Sequence, residues 1–255
     1  MKNIKSLSLI TAICLLSCKS SVKEQKDKIY SRHLQRHVEL TVITTTMPDK
    51  KELMNLLLFN DSEFTEEVRA KKIIDSLFKE KLIQPLTMVA YKGETADYGL
   101  EETGGQKGKQ HRKFNEFVSD ELYPFAKTRV VIRKFKSVAI CGFASSALSA
   151  FDIAFNHPGK IQSVGMFCPM FAAGINIPDT SVFQTISGLR GRPRLKLWIA
   201  AAEGDSLSLK LKNIISAKPN ITEPEMMTLP HTKNSNRSAL TSESFAAFLM
   251  WAFPS

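Results

Sequence analysis

The segment from Ser137 to Ala154, SVAICGFASSALSAFDIA, runs from an apolar stretch through a turn of small residues into a helix-forming stretch. A strand that enters a helix through so tight a turn lifts one side chain clear of the sheet. A serine at that apex, in the pattern G-x-S-x-G, is a nucleophile for carbonyl groups, and the backbone N–H after it stabilises the oxyanion that forms. Anchored on Gly142, the pattern reads Gly142-Phe143-Ala144-Ser145-Ser146, so the apex is Ala144. A methyl group cannot attack a carbonyl. Shifting the frame by one residue makes Ser145 the apex, with Phe143 where a small side chain is needed and Ala147 acceptably small on the other side. In a third reading Ser145 and Ser146 only cap the helix that follows.

The elements that must position this turn can be read from hydrophobic patterning. Val38 to Thr45 alternates and is rich in β-branched residues, Asn55 to Phe59 is a short apolar run, and Leu86 to Ala90, Ser137 to Cys141, Ile161 to Phe167, Leu195 to Ala201 and Glu225 to Leu229 read as further strands. Helical spacing marks Thr65 to Leu82, Phe114 to Lys127, Leu148 to Phe155 and Ser242 to Phe253. Strands alternating with helices predict an α/β chain with a mostly parallel central sheet and helices on both faces. Tyr91 to Gln110 is polar and glycine-rich, and is expected to form a long loop.

The chain has 255 residues, 43% hydrophobic and 24% charged, which suits one globular domain. Its first residues, Met1-Lys2-Asn3-Ile4-Lys5, precede an apolar run from Leu7 to Leu16, too short to span a bilayer and typical of an export signal. Leu15-Leu16-Ser17-Cys18 resembles a bacterial lipobox, which predicts a lipid anchor on Cys18 after removal of residues 1–17; a plain secretory signal is the alternative. Residues 18–36 are polar and are expected to form a tether, leaving 37–255 as the folded domain. These features place the protein in the bacterial cell envelope, membrane-anchored.

Loss of Lys2 and Lys5, with no acid, takes the net charge from +10 to +8. The basic residues are scattered without interleaved aromatics, so a nucleic-acid groove is not expected, and a solvated surface near anionic lipid fits better. The four cysteines at positions 14, 18, 141 and 168 include no CxxC and no histidine-rich pairing, so neither a metal nor another cofactor is expected. Whether Cys141 and Cys168 are bonded stays open.

The chain resembles the putative-esterase family, which includes enterochelin-esterase-like and feruloyl-esterase-like proteins. The markers are Leu58-Phe59-Asn60-Asp61, Tyr98-Gly99, FVSDELYPF from Phe117, AFDIAFNHP from Ala150, SVGMF from Ser163, WIAAAEGD from Trp198 and FLMWAF from Phe248, in this order between Leu40 and Phe253. The resemblance implies an α/β-hydrolase fold and a serine-histidine-aspartate triad. It puts Ala144 where the family has its serine, and Ser146-Ala147 where it has two glycines. It implies that the Ser145 N–H and a donor from Asn60, Asp61 or Ser62 form the oxyanion hole, and that Asp205 is the triad acid, with Glu203 as its neighbour. The family's histidine falls near Asn236, which cannot act as a general base; His231 lies several residues earlier. His33, His37, His111 and His157 lie elsewhere in the chain.

Three functions follow from this reading. One is a catalytically impaired member that binds a glycan or a siderophore-like ester in the old substrate cleft. Another is a carboxylic ester hydrolase using Ser145, or Ser146, with His231 and Asp205. The third is a structural, partner-binding envelope lipoprotein.

Overall fold

A computed structural model describes residues 21–46, 53–98, 109–169, 195–203, 205–216, 225–229 and 237–255. Eight strands form one sheet: β1 (Val22–Ser31), β2 (Arg36–Thr45), β3 (Asn55–Phe59), β4 (Leu86–Tyr91), β5 (Val138–Phe143), β6 (Ser163–Phe167), β7 (Lys196–Ala202) and β8 (Glu225–Leu229). Their order is β1-β2-β4-β3-β5-β6-β7-β8. β2 is antiparallel to β1 and β4, and every pair from β4 onward is parallel.

The central strands read as continuous apolar runs because both faces are covered. In β3, Leu56 and Leu58 enter one core while Leu57 and Phe59 enter the other, and in β5 Val138 and Ile140 oppose Ala139, Cys141 and Phe143 in the same way. The first core is roofed by α3 (Lys109–Glu116), α4 (Tyr123–Arg129), α5 (Ser145–Asn156) and α6 (Ser206–Ser216), and the second by α1 (Phe64–Glu67), α2 (Ala70–Lys79) and α7 (Arg237–Ala252). Among the described residues no helix is long and apolar enough to cross a membrane.

Four differences from the sequence reading have physical causes. Residues 22–36 are not a tether: β1 pairs with β2 over ten residues, from Val22 opposite Thr45 to Ser31 opposite Arg36. β1 is an edge strand held by backbone hydrogen bonds, and its exposed lysines give it the composition of a linker. The helix expected over 65–82 breaks at Arg69, which turns left-handed at φ 54°, and the freed Val68 carbonyl accepts a bond from the Ser242 hydroxyl at 3.1 Å. The polar stretch after β4 makes a 3₁₀ turn at Thr95–Tyr98, and α3 starts inside it at Lys109. α3 runs into a π-helical segment, Phe117–Leu122, before α4.

Candidate active site

β5 ends at Phe143, opposite Phe167 of β6, and α5 starts two residues later. The residue between them is Ala144, at φ 52° and ψ −118°, with its N–H donating to the Phe167 carbonyl at 2.9 Å. A positive φ on a residue with a Cβ is strained by about 1–3 kcal/mol and persists only where its surroundings impose it. Three neighbours do so here. A Cβ on Gly142 would lie 2.3 Å from the Ser146 carbonyl oxygen, so glycine alone lets the strand approach the helix this closely. The buried Ser146 hydroxyl accepts from the Phe143 N–H and donates to the Phe143 carbonyl, both at 2.8 Å. The Asn60 side chain, fully buried at the end of β3, donates to the Ser146 carbonyl at 3.3 Å.

The strained apex therefore sits on Ala144 and not on Ser145, which is the first residue of α5. Ser146 spends its hydroxyl inside the turn. Ser145 is half-buried, and among the described residues its hydroxyl has no hydrogen-bond partner.

The loop after β3 offers one free donor. The Asn60 N–H goes to the Cys141 carbonyl at 2.8 Å and the Ser62 N–H to the Tyr91 carbonyl at 3.2 Å. Among the described residues, the N–H groups of Asp61 and Ser145 have no acceptor, and they stand at the ends of the adjacent parallel strands β3 and β5. Two unspent N–H groups on neighbouring strand ends are what an oxyanion hole requires. The Asp61 carboxylate caps α1, accepting from Glu63 and Phe64 at 3.1 and 3.2 Å. Burial pushes its pKa up, against the lowering effect of those two N–H bonds.

Asp205 follows β7 and caps α6. Its two carboxylate oxygens accept from the Ser208 N–H at 3.3 Å and the Ser208 hydroxyl at 2.6 Å. Glu203 is exposed in the turn before it. His231 and Asn236 lie outside the described residues. Cys141 and Cys168 are both free thiols. Cys168 follows Phe167, which places it beside Ala144 in the register of β5 and β6. Among the described residues no cluster could hold a metal ion.

One arrangement was missed in the sequence. His111 stands on the first turn of α3, with Nε2 2.7 Å from the Asp152 carboxylate of α5 and Nδ1 2.8 Å from the Asp97 carbonyl. Asn115 and Asn156 donate to the same Asp152 oxygen at 2.9 and 3.1 Å. The Asp97 carboxylate in turn holds Arg36 of β2 and accepts from Gln110. Burial presses the His111 basicity down, but the bond and charge of Asp152 and the Asp97 carbonyl outweigh it and hold the ring above its ordinary value. With both ring nitrogens engaged, His111 cannot serve as a general base, and the network is structural. Its only sequence signal is one acid, Asp152, within the apolar run AFDIAF.

An eight-stranded sheet in this order, covered on both faces and ending its fifth strand in a strained turn, defines an α/β-hydrolase-fold protein. The family model described as Putative esterase matches residues 31–220, and the chain belongs to that family. The search of curated proteins finds no match to the sequence. Among solved structures, the chain is similar to a ferulic acid esterase from Anaeromyces mucronatus in complex with ferulic acid (TM-score 0.68, 18% identity, covering 91% of each chain). It is similar to a serine-to-alanine mutant of the feruloyl esterase module from Clostridium thermocellum complexed with sinapinate (TM-score 0.65, 15% identity, 92% of this chain and 89% of that one). The enterochelin esterase from Shigella flexneri is also similar (TM-score 0.70, 12% identity), covering 90% of this chain, which spans 57% of that protein's length.

Proposed function

We propose that this protein is an exported, lipid-anchored member of the esterase family that binds a small ester or glycan ligand in the hydrolase cleft without hydrolysing it efficiently. The observation that carries the reading is the position of the strained apex on Ala144, which leaves the elbow without a hydroxyl. The N–H groups of Ser145 and Asp61 are retained, so a carbonyl oxygen still has donors to meet. The serine-to-alanine mutant of a feruloyl esterase module, solved with the aryl carboxylate sinapinate, supports ligand binding on this fold by a protein from which a serine hydroxyl has been removed. Losing one triad member can cost about a million-fold in turnover, while about a thousand-fold over water remains from binding and the oxyanion hole.

Hydrolysis of p-nitrophenyl acetate and labelling by a fluorophosphonate probe test this directly. No labelled serine is expected in the purified chain. A probe adduct on Ser145, together with activity lost in Ser145→Ala, would replace this reading with an esterase using Ser145, which the partner-free hydroxyl of that residue favours. Anchoring is tested separately: metabolic labelling with a fatty-acid analogue is expected to mark the chain, and Cys18→Ser is expected to abolish the label.

A further inference from the structure

The surface formed by α4 and the loop into β5 carries more positive charge than the fold uses. Contrary to the sequence reading of scattered basic residues, Lys127, Arg129, Arg133, Lys134 and Lys136 fall within ten residues. The acids around them are already engaged: Asp27 of β1 with Arg129, Asp120 with Lys160 at 3.3 Å, and Glu121 with Arg32 at 3.5 Å. Among the described residues no acid pairs with Lys127, Arg133, Lys134 or Lys136, and the last three are exposed. Lys127 and Arg129 lie over the rings of Tyr123 and Phe125, which hold these cations on the surface.

The same surface is concave and partly apolar. Pro124, Lys127, Thr128, Val131, Ile132 and Arg133 line a groove of about 630 Å³. At its edge Val131 is 90% exposed and sits at φ 53°. Val131 takes this left-handed conformation to close the C-terminus of α4, where its N–H and that of Ile132 bond the Thr128 and Lys127 carbonyls, and nothing in the described chain covers its aliphatic side chain. An aliphatic tip ringed by unpaired cations complements a layer of anionic headgroups over hydrocarbon. Bases of a nucleic acid would need exposed rings on which to stack, and here Phe135 is buried while Tyr123 and Phe125 are half-buried beneath the cations.

We propose that α4 and residues 130–136 form a docking face for anionic phospholipid bilayers, with Val131 entering the headgroup layer and Lys127, Arg133, Lys134 and Lys136 meeting phosphates. The contact does not depend on acylation of Cys18 or on the chemistry of the elbow.

The test uses residues 18–255 carrying Cys18→Ser, so that neither the apolar run before Cys18 nor an acyl group contributes, in sedimentation with vesicles of phosphatidylcholine alone or mixed with phosphatidylglycerol. Binding is expected to the mixed vesicles and to fall with added salt. At about a fivefold contribution per basic residue, Arg133→Ala with Lys134→Ala should weaken it about thirtyfold. Val131→Asp should weaken it too, while Lys71→Ala with Lys72→Ala, on the opposite face of the sheet, should not. Far-UV circular dichroism confirms that each variant is folded. Equal binding to both vesicle types, or unchanged binding of the Arg133 and Lys134 double variant, overturns the proposal. So does complete displacement by soluble glycerol phosphate, which would reveal a small-anion site.

Discussion

Replacing Asp152 by alanine removes the acceptor shared by His111, Asn115 and Asn156, bonded at 2.7, 2.9 and 3.1 Å. The His111 and Asp152 side chains are 17% and 15% exposed and Asn115 is buried, so two of the three donors left behind are largely cut off from water, while Asn156 is exposed. Breaking a fully buried pair by removing one partner costs about 3–5 kcal/mol. His111 can shed its proton and Asn156 keeps its bond to the Asp152 carbonyl, so a loss of about 2–3 kcal/mol is expected for Asp152→Ala. Urea unfolding followed by tryptophan fluorescence measures it.

The pH dependence has a definite sign. His111 is held above its ordinary value in the folded state, so its contribution is complete below about pH 6.5 and is lost as pH rises through the folded value. Asp152 is shifted the opposite way: burial raises it, but the bonds from His111, Asn115 and Asn156 prevail and lower it. Its contribution is complete above the ordinary carboxylate range and is lost on acidification through the lowered folded value. Stability carried by the pair should therefore be greatest between these limits and fall as pH rises beyond about 6.5, and that fall should vanish in Asp152→Ala. Wild-type stability in the variant, or a flat wild-type curve over that range, would refute the assignment of His111 as a buried imidazolium.

Three further substitutions probe the elbow by the same unfolding assay. Gly142→Ala places a Cβ 2.3 Å from a backbone oxygen that cannot swing away, and should cost about 3 kcal/mol or more. Ser146→Ala leaves the Phe143 N–H and carbonyl without their buried partner and should cost about 1–3 kcal/mol. Ala144→Gly relieves the positive φ at the expense of a more flexible unfolded chain, and should raise stability by about 1 kcal/mol.

How much of this was legible depended on where the stabilising contacts lie in the chain. β3 and β5 announce themselves because strands buried on both faces must be apolar at every position, and the elbow does so because Gly142 is demanded locally by Ser146, four residues on. β1 was hidden because an edge strand derives its order from its partner's backbone. The sequence of α6, with Leu207, Leu209 and Leu211 at alternate positions, carries the period of a strand, yet Leu211 and Ile215 reach the core at helical spacing. His111 and Asp152 are 41 residues apart, and no local pattern links two residues that meet only when α3 crosses α5.

The elbow also bears on what Ala144→Ser would reveal. Its geometry is fixed by Gly142, the two Ser146 bonds, the Asn60 side chain and the Ala144 N–H, none of which involves a hydroxyl at the apex. A serine introduced there would meet a turn already bent to present it, and the missing requirement would be a base. Asp205 caps α6 through two bonds from Ser208, and the part a triad gives its acid is to orient the histidine that takes the serine's proton. Fluorophosphonate labelling of Ala144→Ser thus separates two states of the cleft. Rapid labelling would mean that an imidazole still reaches the apex and that only the hydroxyl is absent; labelling no faster than that of a free serine would mean that the base has gone as well.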